Sequence, residues 1–356
     1  MVPPFVRANV RSMHGYTPGE QPGASERVVK LNTNENPFPP SPKVMQAIRD
    51  IEPEALRRYP QPTADTFREV AAKVLGVSKD SILAGNGSDD ILTIVTRTFV
   101  APGGVLAYPT PTYSLYSVLA GIEDARTCGV AWSEGWTLPI DGLLASGASA
   151  IYLANPNAPS GTRVSSDVVS ELAERFEGLL LVDEAYVDFA DATCLELASK
   201  YDNVVISRSF SKAYSLAGLR FGYAVAKPGV IEQMMKVKDS YNTDAISIIA
   251  ATAAMQDQEY ARMTWQHVRA ERARMTDELT RMGFDVLPSQ ANFVLARVPG
   301  DDGASMYAKL KHMGILVRHF NQPGLSEYVR ITIGSNTENN ALLCGIRDLL
   351  PSEKAA

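Results

Sequence analysis

Three cysteines in 356 residues, Cys128, Cys194 and Cys344, lie far apart and in no C-x-x-C arrangement. That excludes a disulfide framework and favours a reducing, cytoplasmic setting. Histidine is scarce too: His14, His267, His312 and His319 show no metal-ligand spacing, and there is no H-E-x-x-H. No metal site is expected. Basic blocks are missing and the net charge is -6, so nothing points to nucleic acid. Long apolar runs are missing as well. The longest uncharged helical stretch, "AISIIAATAAM" (Ala245 to Met255), is too short to span a bilayer and reads as a buried helix. The first residues, "MVPPFVRANVRSMHGYTPGEQPG", lack the apolar core of a signal peptide, so no membrane partner is expected.

What is present is an ordinary soluble composition, 45% hydrophobic and 21% charged, in a chain long enough for two domains. From about Asp80 to Ala226, short apolar runs end in Gly/Pro/Asn/Ser turns and pass into helical patterning. "SILAGNGSDDILTIVTRTFV", "GGVLAYPTPTYSLYSVLAG", "ASAIYLANPNAPSG" and "GLLLVDEAYVDF" all follow this plan. The run Leu179 to Val182 is apolar throughout, as in a strand covered on both faces. The fold class expected is α/β: a large domain with a mostly parallel sheet flanked by helices, residues 43–255. Residues 256–356, with the proline-rich arm 1–42 packed against them, read as a smaller α+β domain. Its long helix covers Asp257 to Gly283, and "ANFVLARV", "GILVRHF" and "YVRITIG" read as strands.

In sheets of this kind ligands collect beyond the carboxyl ends of the strands. Gly87, Ser88, Asp89, Tyr113, Asn157, Asp183 and Lys212 all follow an apolar run. Lys212, in "SRSFSKAYSLAGLRFGY", can be read as a phosphate ligand, a surface charge or an amine nucleophile. The last requires a depressed pKa, which burial or a cation such as Arg220 supplies. Ser209, Ser211 and Arg220 make a plausible anion cradle. A second is the "GNGSDDIL" turn, where Ser88 or Asp89 is expected to cap a helix. Two such cradles around one lysine suggest a phosphorylated cofactor bearing an aldehyde. Asp183, ending an apolar strand, needs a cationic or hydrogen-bonding partner, and a protonated pyridine nitrogen would serve. Tyr113 offers a flat surface for stacking.

The chain resembles the fold-type I pyridoxal-phosphate aminotransferases, and within them the histidinol-phosphate aminotransferases. The resemblance is carried by "LNTNENPFPPSP", "RYPQP", "GNGSDD", "YPTPTYSLY", "NPNAPSGT", "VDEAYVDF", "SFSKAYSLAGLRFGY", "QANFVLAR", "GILVRHF" and "YVRITIG", in family order over most of the length. It implies pyridoxal 5′-phosphate as cofactor. Lys212 would form the Schiff base and carry the proton, Asp183 would pair with the pyridine nitrogen, and Tyr186 would bond the ring's phenolic oxygen. Ser209, Ser211, Arg220 and the Gly87–Ser88–Asp89 turn would hold the phosphate. Tyr113 would stack on the ring. Tyr59 would reach a neighbouring subunit's cofactor phosphate, which implies a homodimer. Tyr16, Arg318 and Arg330 would hold the substrate.

One position departs from the family pattern. The asparagine expected before the second proline of the NPNAPSG turn is Ala158, which leaves Asn157, or failing it Asn155, to touch the cofactor. The expected reaction converts L-histidinol phosphate and 2-oxoglutarate to imidazole-acetol phosphate and glutamate, a step of histidine biosynthesis. An aromatic aminotransferase or a threonine-phosphate decarboxylase shares most of these motifs. A dinucleotide oxidoreductase is disfavoured because no G-x-G-x-x-G follows a first strand. A ligand-sensing regulator is disfavoured because the N-terminal segment is too short and proline-rich for a DNA-binding module.

Overall fold

A computed structural model describes residues 3–23, 28–300 and 302–350. Its centre is a seven-stranded sheet built from β2 (Ile82–Gly85), β3 (Val105–Thr110), β4 (Arg126–Ala131), β5 (Ala150–Ala154), β6 (Leu179–Asp183), β7 (Val204–Ser209) and β8 (Gly222–Val225), in the order β2-β8-β7-β6-β5-β3-β4. Strands β5, β6 and β7 are buried at every position. Their side chains alternate between two separate apolar layers. Leu180, Val182, Val204 and Ile206 join one, and Leu179, Leu181 and Val205 the other. That is why these strands read as continuous apolar runs and not as alternating ones.

The four pairings from β4 through β3, β5 and β6 to β7 are parallel, whereas β8 runs antiparallel to both β7 and β2. The chain leaves β7 and returns immediately as β8, so everything in between is pressed against the carboxyl end of the sheet. Lys212 and Arg220 lie in that return. The edge strand β4 has no apolar run: only every second residue is even partly covered, and it escapes a reading based on apolar runs.

The second sheet is antiparallel, with order β12 (Arg318–His319), β13 (Tyr328–Thr332), β10 (Phe293–Arg297), β9 (Asp285–Val286). The helices Gln258–Arg281 and Asn336–Leu349 cover it, sharing a core that includes Val268, Leu279, Val294, Ile331 and Ile346. Glu271 fastens these helices together. Its carboxylate accepts bonds from Arg274 Nη2 (2.6 Å), Asn339 Nδ2 (2.9 Å) and Asn336 Nδ2 (3.1 Å). The N-terminal arm divides between both bodies. Strand β1 (Val29–Lys30) pairs in parallel with β11 (Ile315–Leu316), on the side of the second sheet. Earlier, the helix Ala8–Ser12 lies on the large body, where Asn9 Nδ2 donates to the carbonyls of Gly121 (2.9 Å) and Ile122 (3.1 Å). Those carbonyls end the helix Leu115–Ile122; Gly121 also accepts from the Asp124 backbone N–H at 3.2 Å, and Asn9 adds a donor to both from the arm.

Candidate active site

A cavity of about 550 Å³ opens at the carboxyl ends of these strands, between the two bodies. Lys212, Asp183, Ser88, Asp89, Tyr113, Tyr186, Ser209, Ser211, Arg220, Tyr16, Arg318 and Arg330 all line it. Gly87, Asn157 and Tyr59 do not.

Strand β7 passes straight into the short helix Phe210–Ala213, because Ser209 accepts a bond from the Ser211 backbone N–H at 3.1 Å and so caps its start. One turn carries Lys212 to the cavity. Its Nζ donates to the Thr33 carbonyl at 2.9 Å. Burial lowers its pKa to about 8, against the opposing charge of Glu35 and with help from Arg330 and Arg220. About half the amine is therefore neutral at pH 8, the form that attacks a carbonyl.

Asp183, at the end of β6, is 5% exposed. Desolvation raises its pKa to about 7, and no cation donates to it among the described residues. A buried carboxylate in that state lacks a positive partner, and a protonated pyridine nitrogen is one. Burial thus shifts the two groups in opposite directions for the same cause: it frees the Lys212 amine for aldehyde capture and leaves the Asp183 carboxylate dependent on a positive partner to stay ionised.

The anion cradle centres on Arg220. Its Nη1 donates to Ser211 Oγ at 3.1 Å and its Nη2 to Asp89 Oδ2 at 3.0 Å. Gly87 has φ 85°, and a Cβ there would stand 2.8 Å from Arg220 Nη2. The glycine is what lets the guanidinium into the turn. Gly222 is equally confined, since a Cβ would meet the Ser88 backbone nitrogen at 2.5 Å. Ser88 opens the helix Ser88–Phe99 and lines the same cavity as Ser209 and Ser211, so the end of the helix that carries unpaired N–H groups lies at this wall. The donors fit a phosphate.

Two expectations need correction. Neither Ser88 nor Asp89 caps its helix. Gly87 holds that position with no side-chain bond, and the Asp89 carboxylate is taken by Arg220 and by the Tyr113 hydroxyl (3.2 Å). Asn157 does not face the cavity. It is fully buried, donates to Ser160 Oγ (2.9 Å) and the Pro111 carbonyl (3.2 Å), and accepts from Thr112 Oγ1 (2.8 Å). Asn155 is likewise spent on the backbone of Val164. Both asparagines brace the turn, whose cavity wall is Pro156, Ala158 and Pro159. Tyr59, whose expected role is toward a neighbouring subunit, is 81% exposed, stacked on Tyr241 at 4.5 Å between centroids, and lines no part of its own chain's cavity.

Across the cavity, Arg318 and Arg330 are register partners on β12 and β13. Arg330 Nη2 donates to the Asn32 carbonyl at 3.0 Å, its Nε is buried with no partner, and its guanidinium lies between the rings of Phe293 and Phe320. Burial lowers its pKa, as expected of a cation short of a counter-charge. Two arginines with free donor capacity could take an anion here, apart from the Arg220 cradle. Tyr16 stands edge-on to Tyr113 nearby.

Tyr186 accepts from Asn34 Nδ2 at 3.0 Å, and Asn34 is itself held through its carbonyl by Asn292. Asn34, Phe320, Thr33 and Tyr116 were not singled out from the sequence. For Tyr116 the available signal was its place three residues after Tyr113, in the first turn of the helix Leu115–Ile122.

The chain belongs to the family described as aminotransferase class I and II, whose model matches residues 26–346. Within it, the chain is 45% identical to histidinol-phosphate aminotransferase 1 of Trichormus variabilis, over 97% of this chain and 99% of that one. It is 44% identical to the histidinol-phosphate aminotransferase of Citrifermentans bemidjiense, with the same coverage. A crystal structure of histidinol-phosphate aminotransferase from Sinorhizobium meliloti in complex with pyridoxal-5′-phosphate superposes with a TM-score of 0.90 at 27% identity, covering 98% of this chain and 99% of that one.

Proposed function

We propose that the chain transfers the amino group of L-histidinol phosphate to 2-oxoglutarate, giving imidazole-acetol phosphate and glutamate in histidine biosynthesis. The observation that carries this reading is the pairing of two anion sites in one cavity. The Arg220 cradle beside Lys212 and Asp183 suits the phosphate of pyridoxal 5′-phosphate, and the Arg318–Arg330 pair suits a second anion on the substrate. Relatives of 44–45% identity that carry the histidinol-phosphate aminotransferase name support the choice of substrate.

Pyridoxal 5′-phosphate, when bound, supplies an aldehyde and an electron-withdrawing ring that stabilises negative charge at the substrate carbon. Ser88, Ser209, Ser211 and Arg220 would hold its phosphate, Asp183 would pair with its ring nitrogen, Tyr186 would bond its phenolic oxygen, and Tyr113 would stack on the ring. Lys212 Nζ, once neutral, takes the proton from the substrate carbon that bears the amine. Arg318 and Arg330, with Tyr16, bind the substrate phosphate, and the same forked donors take a carboxylate of the oxo acid in the return half-reaction. Residues 43–255 act as the cofactor domain, and 1–42 with 256–356 as the substrate domain. The working form is a cytoplasmic homodimer in which Tyr59 serves the neighbouring subunit.

The test is a single half-reaction followed by absorbance. L-histidinol phosphate, added without oxo acid, converts the bound cofactor from its aldehyde to its amine form, and 2-oxoglutarate reverses the change. A cofactor spectrum that histidinol phosphate leaves unchanged rejects the substrate while keeping the cofactor site. Threonine phosphate and phenylalanine are then the compounds to add.

A further inference from the structure

Beneath the cavity floor lies a side chain that the reaction above does not use. Tyr116, on the helix Leu115–Ile122, is fully buried. Its hydroxyl donates to Asp183 Oδ2 at 2.9 Å. The carboxylate's remaining bond, to Oδ1, comes from the Ala185 backbone N–H and is longer, at 3.3 Å. The phenol ring is boxed in, edge-on to Tyr113 (5.7 Å) and Tyr152 (5.3 Å) and tilted against Tyr108 (6.0 Å). It has no room to swing away. The neighbouring hydroxyl of Tyr152 is engaged elsewhere, with Thr96 Oγ1 at 2.8 Å and the Leu92 carbonyl at 3.2 Å.

The charges around Asp183 do not help it stay ionised. Asp89, from the helix Ser88–Phe99, and Glu184, next in its own chain, both oppose a negative charge there. Arg208 of β7 is committed to Glu184, at 2.8 Å. Lys212, from the turn after β7, donates to Thr33, and the hydroxyl of Tyr186 is held by Asn34. Tyr116 is thus the one side chain among the described residues that donates a hydrogen bond to this carboxylate.

We propose that Tyr116 is a positioning residue for Asp183. Its hydroxyl fixes the carboxylate's orientation at the cavity floor and keeps it ionised, ready for a protonated ring nitrogen. The proposal rests on the pyridoxal-phosphate reading given above. A donor that bonds the charged form of a carboxyl favours that form. Removing the hydroxyl therefore moves the Asp183 titration to higher pH and leaves less carboxylate near neutrality.

Tyr116→Phe keeps the ring and its packing and deletes only the oxygen. Two measurements on it separate this role from a structural one. The first is the carboxyl titration of Asp183 in cofactor-free protein, followed by ¹³C NMR. Its midpoint is expected to rise by about one pH unit. The second is affinity for pyridoxal 5′-phosphate as a function of pH. A one-unit shift weakens binding about tenfold at pH 6 and less than twofold at pH 9. In an Asp183→Asn background the same substitution is expected to have no pH-dependent effect.

An unshifted midpoint, an equal loss of affinity at both pH values, or an effect that persists with Asp183→Asn overturns the role of Tyr116. A wild-type protein that binds no pyridoxal 5′-phosphate overturns the functional reading and this role with it. A midpoint that stays put in a protein that binds the cofactor removes Tyr116 alone.

Discussion

At the scale of single residues, burial sets the chemistry of Lys212 and Asp183, and it does so before any cofactor arrives. With the Lys212 pKa depressed to about 8, the cofactor-free protein presents a reactive amine well below the pH at which an exposed lysine does. Labelling of Lys212 by an amine-directed reagent is expected to rise with pH around a midpoint near 8. A midpoint near 10 would show the amine to be fully solvated. The sign for stability follows from the same shift. Between about pH 8 and 10 the unfolded chain holds the proton that folded Lys212 has lost, so this residue's contribution to stability grows as pH rises through that window. On the other wall, Arg330 has a buried nitrogen with no partner until an anion arrives. Arg330→Ala is expected to raise KM for the phosphorylated substrate about a hundredfold, a loss of roughly 3 kcal/mol. An unchanged KM in steady-state kinetics would remove it from the substrate site.

At the scale of elements, the second body depends on Glu271 more than on any other single carboxylate its helices bury. Bonds from Arg274, Asn339 and Asn336 hold its pKa down to about 2. A carboxyl so depressed stabilises the fold above its unfolded pKa of about 4.3, and that contribution disappears as pH falls toward 2. Glu271→Gln is expected to lower stability by about 3 kcal/mol at pH 7, with the gap to wild type closing between pH 5 and 2 in denaturant titrations. A gap constant with pH would mean that packing, not charge, is responsible. The elements of the sheet were legible because doubly covered strands leave continuous apolar runs and turn residues punctuate them. Strand β4 left no such run, since one of its faces meets solvent. The antiparallel entry of β8 was hidden because orientation depends on pairing partners and not on local pattern. The site's residue types were legible from their place after strands. The directions of the Asn157 and Asp89 side chains were not, because a short polar side chain takes whichever neighbour the turn offers.

At the scale of the whole molecule, the Tyr59–Tyr241 pair is a large aromatic surface left to solvent, and the proposed dimer gives it a partner. Coexpression decides the matter. Lys212→Ala and Tyr59→Ala protomers are each expected to be nearly inactive as homodimers. A random mixture restores about a quarter of wild-type activity, because half of the dimers are mixed and each carries one intact site. Mixtures no more active than their components would place the Tyr59 role within one chain, or nowhere.

The backbone at Arg220 carries a longer-range consequence. Its φ of 54° is a conformation that suits glycine or asparagine better than arginine, and Asn34 and Ser215 nearby have positive φ too. The half-exposed contact with Asp89 does little to offset that strain. Heat resistance and catalysis should therefore pull position 220 in opposite directions. In a laboratory lineage selected only for survival at high temperature, glycine at 220 should accumulate early, and the lineage would lose the proposed hold on the cofactor phosphate while becoming more robust.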